Sequence, residues 1–469
     1  MFSKKKENRS PMENHNSSHV TVVMVPLAAQ GHLNQLLHLS RLIAAHNIPV
    51  HYVGATTHIR QAKLRLHGCD LSSNIHFIEF PIPPFTTPPP DHSLKFPSQL
   101  VPALTATTHL RRPVHAFVGG LSAAFRRVIV IYDVLMSYVV QDMASIPNAR
   151  CYLFRSFSCF CTCAWESREL PDLPPAAAGI LNQIPSVKGY YSKEFQDFLD
   201  LQFGAKKVSC GEIINSCSEI EGLYLDLWAQ GINKKGGLTL WAMGPFNPAK
   251  ISRKSDHECL KWLNKQPRNS VIFISFGTTT TFSEEQMGEI AAGLERSKQR
   301  FIWVVRGADR GDIFTGNSQQ NQQVPEGFEE RVGRRGIVVR EWAPQMEILG
   351  HPSTGGFMSH CGWNSCLESI TSGVPMAAWP MHSDQPANAV LVARVLGIGV
   401  EVVETWTRQG TGAVKAGRVE EVVKRLMVST EGDGMRKRAA ELGARVRNSI
   451  LQSRQIQAFI SHITNTTWF

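Results

Sequence analysis

Residues 20–53 read VTVVMVPLAAQGHLNQLLHLSRLIAAHNIPVHYV. Val20 to Val25 is a short apolar run of strand type. Pro26 and the small residues around Ala28-Ala29-Gln30-Gly31-His32 make a turn. A helical period then starts, with apolar residues at Leu33, Leu36, Leu37, Leu39, Leu42 and Ile43. Asn47 to Val53 reads as the next strand. Strand, turn, helix and strand in this order form a βαβ unit, which implies a parallel sheet. Val128 to Tyr132 and Cys151 to Phe154 add buried strands to the series.

A second series follows the Gly/Pro cluster Met243-Gly-Pro-Phe-Asn-Pro248, the best linker candidate in the chain. Val271 to Phe276, Phe301 to Val305, Gly336 to Val339, Gly356 to Ser359 and Val374 to Trp379 read as strands. Ser283-Glu-Glu-Gln286 is a capping-box pattern that opens a helix reaching about Arg296. The halves share alternating strands and helices but no sequence repeat. The expected fold class is α/β, with two Rossmann-like, doubly wound domains facing a cleft. Pro81 to Pro90 holds six prolines and is expected to be a stiff surface loop. Asp309 to Gln323 is polar and rich in Gly, Asn and Gln, so mobility is expected there.

Composition excludes several classes. A chain of 469 residues with 43% apolar content and 23 Phe can bury sizeable cores and is not a disordered tract. Lys plus Arg is 49 against 39 for Asp plus Glu, a net charge of +10. That excess fits a nucleic acid, an anionic lipid surface, a negatively charged small substrate or an arbitrary surface. Outside Lys4-Lys5-Lys6 and Arg331 to Arg335 the basic residues are dispersed, which argues against nucleic acid. No apolar run is long enough for a membrane span. Residues 1–18 are polar, without the apolar stretch of a secretory signal, and are expected to form a disordered arm. The ten Cys show no paired CxxC spacing, so free buried thiols in a cytoplasmic protein are expected, with no metal site.

Two places carry chemistry by their position. Ser359-His-Cys-Gly-Trp-Asn-Ser365 links an apolar strand to a helix bearing Leu367 and Ile370. Backbone N–H groups and the positive helix end converge there, as an anion such as phosphate requires. Read alone, the same pattern also describes an ordinary capped helix. No GxxxxGK[ST] or GxGxxG pattern is present. In the first half, His32 sits at the start of a helix after the first strand, and Asp133 ends a later strand. Open α/β sheets bind their ligands along that edge. A histidine suits the base that an alcohol nucleophile needs, and a helix N-terminus disfavours its charged form. A carboxylate beside it would fix its tautomer.

The stretch from Trp342 to Gln385 reads WAPQMEILGHPSTGGFMSHCGWNSCLESITSGVPMAAWPMHSDQ. It closely resembles, in length and spacing, the signature of the plant secondary-product glycosyltransferases, the plant family 1 UDP-glycosyltransferases. The resemblance implies a GT-B fold, a UDP-sugar donor such as UDP-glucose, and no cofactor or metal. It places Trp342 and Ala343 on uracil, and Gln345 and Glu368 on the ribose hydroxyls. His360, Asn364 and Ser365 fall on the diphosphate, with Trp363 lining the sugar pocket. Asp384 and Gln385 fall on the sugar hydroxyls. Gln385 matches the glucose-preferring form, which xylose users share. The loop Ser275-Phe-Gly-Thr278 falls where the family contacts phosphate, which implicates Thr278. The family pairs a His in a Gly-His turn with an Asp at a strand end, which implies that His32 and Asp133 form the catalytic dyad of an inverting transfer.

Val25 to Asn34, Ile131 to Asp142, Gly307 to Asp312, Trp379 to Gln385 and Ala389 to Val392 extend the resemblance to the cytokinin O-glycosyltransferase group, which acts on the side-chain hydroxyl of zeatin. Tyr132 and Arg155 replace histidines of that group, and Cys159-Phe-Cys-Thr-Cys163 is unfamiliar in it. The expected partners are therefore a UDP-sugar and a small hydrophobic hydroxylated acceptor, zeatin or another plant alcohol, phenol, flavonoid or terpenoid. No nucleic acid is expected, and the chain is expected to be a monomer. The domains are expected at 19–245 for the acceptor and 246–448 for the donor. A C-terminal helix at 449–469 is expected to cross back to the first domain, packing Ile450, Leu451 and Phe459.

Overall fold

Fully buried Val22, Val23, Met24 and Val25 make the first strand a two-sided one, which only a sheet covered by helices on both faces can accommodate. The computed structural model describes residues 20–64, 73–93, 96–167, 170, 173–187, 189–248, 256–314, 323–403, 413–452 and 454–465. The arm expected over residues 1–18 and its Lys4–Lys6 run lie outside them, as does most of the polar insertion after residue 314.

The first sheet is built from β1 (Val20–Val25), β2 (Val50–Ala55), β3 (Ile75–Phe80), β4 (Arg127–Asp133), β5 (Ala149–Arg155), β6 (Ser209–Ile214) and β7 (Thr239–Ala242). Its seven strands are parallel, in the order β3-β2-β1-β4-β5-β6-β7. The second sheet holds β8 (Val271–Ser275), β9 (Arg300–Val304), β10 (Gly336–Val339), β11 (Thr354–Ser359), β12 (Met376–Ala378) and β13 (Gly399–Glu401). Its six strands are also parallel, ordered β10-β9-β8-β11-β12-β13. Both are doubly wound α/β sheets of the expected class.

The strand order decides where ligands go. Each sheet reverses its direction of winding beside its first strand, between β1 and β4 and between β8 and β11. The loops leaving such neighbours diverge to opposite faces and open a crevice at the carboxyl edge. The helix Gln30–Ala44 leaves β1 and bears His32, while Asp133 closes β4. Gly277 and Thr278 follow β8, and His360 follows β11. The two crevices meet, since Asn364 Nδ2 donates to Gly31 O across the sheets at 2.9 Å. Trp363 Nε1 likewise donates to Asn215 O at 2.9 Å.

The helix beginning at Gln30 starts earlier than the period at Leu33 suggests, because Ala29 O accepts from both His32 N and Leu33 N. Ser283 Oγ accepts from Gln286 N, the capping bond that its pattern predicts. Pro81 to Pro90 lies outside helix and strand. The helix Thr430–Gln452 is followed by Arg454–Thr464, which returns to the first sheet. Phe459 is fully buried there, with its ring edge-on to Tyr152 and Trp241, each at 5.3 Å. Ile450 is partly buried. Leu451 does not pack: it is 63% exposed, on the solvent side of its helix. Nine described cysteines are free thiols, and Cys159, Cys161 and Cys163 are buried on one short helix. No helix among the described residues is long and apolar enough to cross a membrane.

Candidate active site

A cavity of about 1900 Å³ occupies the meeting of the two crevices. It is lined by His32 on one side and by Thr278, Trp342, Gln345, His360 and Asp384 on the other. Ala343, Trp363, Asn364, Ser365, Glu368 and Gln385 also reach it. Every residue singled out from the sequence thus borders one space, except Asp133, which lies behind His32.

His32 Nδ1 and Asp133 Oδ2 are 2.7 Å apart. A carboxylate only accepts, so the ring donates from Nδ1 and its Nε2 is left as the basic nitrogen. Asp133 Oδ1 accepts from Leu135 N at 3.0 Å, which fixes the carboxylate. Asp133 is fully buried, while a quarter of the His32 side chain is exposed to the cleft. Burial pushes the His32 pKa down, but Asp133, and more distantly Asp384, overcome this and hold it above 6.5. The lowering expected of the helix N-terminus is therefore outweighed by the carboxylates. Ser156 Oγ lies 2.9 Å from the same His32 nitrogen. It was not singled out from the sequence. Its signal was its place, one residue past β5, on the same carboxyl edge as His32 and Asp133.

On the opposite wall, the helix Trp363–Ser372 points its N-terminus at the cavity after the turn His360-Cys361-Gly362. The His360 ring is wedged between two glycines. A Cβ on Gly277 would stand 2.6 Å from its Nε2, and one on Gly362 would stand 2.5 Å away. Burial lowers its pKa to about 4, so the ring is neutral near pH 7. Gln345 Nε2 donates to Glu368 Oε2 at 2.7 Å and to Ser365 Oγ at 3.1 Å, which ties three of these side chains together. Burial raises Glu368 to about 7 and Asp384 to about 6. Asn388 Nδ2 donates to Asp384 Oδ2 at 2.7 Å. Gln385 is turned partly inward, with its Oε1 accepting from Met381 N and His382 N and its Nε2 3.4 Å from His382 Nδ1. Trp363 is buried and spends its N–H on the other sheet, so it packs the interface as much as it lines the cavity. Trp342 is 48% exposed, an indole left at the rim. Among the described residues, no group of three or more His, Cys, Asp or Glu is placed to hold a metal.

Arg155 is buried against Glu212 and Glu166. Its Nε donates to Glu212 Oε2 at 2.7 Å and its Nη1 to Glu166 Oε1 at 2.6 Å. Trp228 stacks on the guanidinium at 4.7 Å and donates its N–H to Glu212 at 2.8 Å. This network and Tyr132 form one wall of the cavity.

The family profile "Glycosyltransferase, N-terminal domain" matches residues 18–248, and "UDP-glucoronosyl and UDP-glucosyl transferase" matches residues 245–424. The chain is a plant family 1 UDP-glycosyltransferase. Zeatin O-glucosyltransferase of Phaseolus lunatus is 50% identical to this glycosyltransferase over 95% of the chain and 97% of the relative. Zeatin O-xylosyltransferase of Phaseolus vulgaris is 49% identical over 95% and 98%. A crystal structure of a UGT transferase from Siraitia grosvenorii in complex with UDP has a TM-score of 0.72 at 26% identity, covering 95% of the glycosyltransferase and 100% of that chain. Phytolacca americana UGT2, complexed with UDP-2-fluoro-glucose and pterostilbene, shares the fold with a TM-score of 0.73 at 24% identity over 95% and 100%. The glycosyltransferase has the GT-B arrangement and moves a sugar from UDP to a hydroxyl of a small plant molecule.

Proposed function

We propose that the enzyme transfers glucose or xylose to the side-chain hydroxyl of a zeatin-type cytokinin by inversion, with His32 as the base. The observation that carries the chemistry is the His32–Asp133 pair, opening on the cavity that the helix N-terminus Trp363–Ser372 also faces. The acceptor O–H gives its proton to His32 Nε2 as the oxygen bonds to the anomeric carbon. The bond from that carbon to UDP breaks on the opposite face, and its electron pair leaves with the diphosphate. An α-linked donor then gives a β-linked product. Asp133 stabilises the imidazolium as it forms.

On the donor side, Trp342 stacks on uracil and Ala343 meets its edge, as a flat base and a rim-exposed indole suit each other. Gln345 and Glu368 take the ribose diol. Thr278, His360, Asn364, Ser365 and the helix N-terminus hold the diphosphate and receive its developing charge. Asp384 and the Gln385 amide bind sugar hydroxyls, and Trp363 closes the pocket. Asn364 has a second amide N–H for this while the first donates to Gly31 O. Residues 19–245 then serve the acceptor and 246–448 the donor, and the chain from 449 onward crosses back to the first domain. Metal and cofactor have no part in this scheme, and the monomer suffices for it.

Both zeatin transferases from Phaseolus support this acceptor. A phenolic acceptor is the second reading, favoured by Tyr132 and Arg155, which depart from the cytokinin group on the cavity wall. Turnover of trans-zeatin, cis-zeatin and a flavonoid panel, each with UDP-glucose and UDP-xylose, decides between them. The cytokinin reading expects the highest kcat/KM for a zeatin, and a flavonoid preferred by tenfold or more would displace it.

A further inference from the structure

Gln202 lies on the helix Lys193–Phe203 and borders the same cavity as His32. It is only 2% exposed. Its Oε1 accepts from Tyr138 N at 3.0 Å. That bond settles the amide's orientation, because a backbone N–H needs an oxygen. The Nε2 group is therefore fixed as a donor, and it is buried without a hydrogen-bond partner. Leaving such a donor unpaired is unfavourable, and a position that keeps one calls for a partner that arrives later.

The segment held by Gln202 is the one that leaves the catalytic pair. Asp133 fixes its start through Leu135 N, and Gln202 fixes it at Tyr138. Phe96, Tyr191 and Phe195 line the cavity as an aromatic wall, with Phe96 stacked on Phe195 at 4.0 Å.

We propose that Gln202 is a specificity residue whose Nε2 donates a hydrogen bond to a ring nitrogen of the acceptor's purine, while the hydroxyl end sits at His32. The proposal rests on the cytokinin reading. Gln202 borders the cavity and its Nε2 is buried there without a partner, so a side-chain shift on binding is what brings donor and ring together. A purine offers several lone-pair nitrogens at its edge, whereas a purely hydrocarbon alcohol of the same size offers none.

The test compares the wild type with Gln202→Glu, which keeps an oxygen for Tyr138 N–H and removes the amide donor. Substrates are trans-zeatin, its 1-deaza, 3-deaza and 7-deaza analogues, and an allylic alcohol without a ring acceptor. The expected result is a KM for trans-zeatin raised about tenfold in the variant, with kcat within about twofold and the ring-free alcohol unaffected. One deaza analogue should cost the wild type a similar factor and the variant almost nothing. Equal loss for all substrates would reduce Gln202 to a helix cap and overturn the proposal, as would no loss at all. A wild type that turns over no zeatin removes the cytokinin reading itself, and the purine contact with it.

Discussion

His32 Nδ1 stands 2.7 Å from Asp133 Oδ2, across 101 residues of sequence. The contact exists because β1 and β4 are neighbours in register, with Val25 opposite Tyr132. Asp133, which ends β4, and the turn that leaves β1 toward His32 therefore emerge side by side. This geometry sets the proton chemistry, since Asp133 holds the His32 pKa above 6.5 against the pull of burial. The base form is the neutral ring, so activity must rise with pH through that raised value. The acid limb of the kcat/KM profile is expected above pH 6.5. In Asp133→Asn the first raising charge is gone while burial still acts, so the limb moves to lower pH. The same variant is expected to lose about 10²- to 10⁴-fold in kcat. An unmoved limb would separate Asp133 from the base.

The His360 ring has no room to move. A methyl group on Gly362 would stand 2.5 Å from its Nε2. Gly362→Ala must displace the ring or the helix N-terminus beside it, and such overpacking costs about 1–3 kcal/mol. UDP affinity measured by calorimetry is expected to fall at least tenfold. Gly277→Ala should be worse, because its φ of +76° adds backbone strain to the same clash.

Trp342 offers a contrast between binding and folding. Its indole is 48% exposed, so truncation removes little from the core. Stacking of a base on an aromatic side chain is worth about 1–3 kcal/mol. Trp342→Ala is expected to raise the Kd for UDP by about 5- to 150-fold with an unchanged melting temperature. A large drop in melting temperature with UDP affinity retained would place Trp342 among the core residues instead.

Arg155 neutralises Glu212 inside the protein. Arg155→Met leaves Glu212 buried with only the Trp228 N–H as a partner. Loss of one member of a buried pair costs about 3–5 kcal/mol. The variant is expected to melt markedly lower, and the double variant Arg155→Met with Glu212→Leu is expected to recover most of the loss. A single variant as stable as the wild type would show that the network contributes nothing to folding.

Much of this architecture is legible in the chain. The apolar runs at Val20–Val25 and Val271–Ser275 are strands because they carry no charge and are rich in Val and Ile, Thr21 satisfying its hydroxyl on Pro49 O, and Ser283 announces its helix by a local capping bond. Other strands are hidden. β6 reads Ser-Cys-Gly-Glu-Ile-Ile, and its Glu212 is buried only because Arg155 arrives from the neighbouring strand. β7 and β13 are four and three residues long, too short for a period to emerge. β3 is half-buried at the sheet edge, with His76 and Glu79 breaking its apolar run. The donor side of the site is nearly contiguous in sequence, so it can be read there. Ser156, the Asn364–Gly31 bond and the Gln202 cap depend on the meeting of distant segments, and no local pattern encodes them.

Transfer and UDP binding, measured together on His32→Ala, test whether His32 is the base. UDP is expected to bind with a Kd within about twofold of the wild type, because His32 takes no part in the nucleotide cradle. Sugar transfer from UDP-glucose to trans-zeatin is expected to fall by about 10²-fold or more. Unchanged UDP affinity with transfer retained within tenfold would contradict it, and another group would then have to be the base.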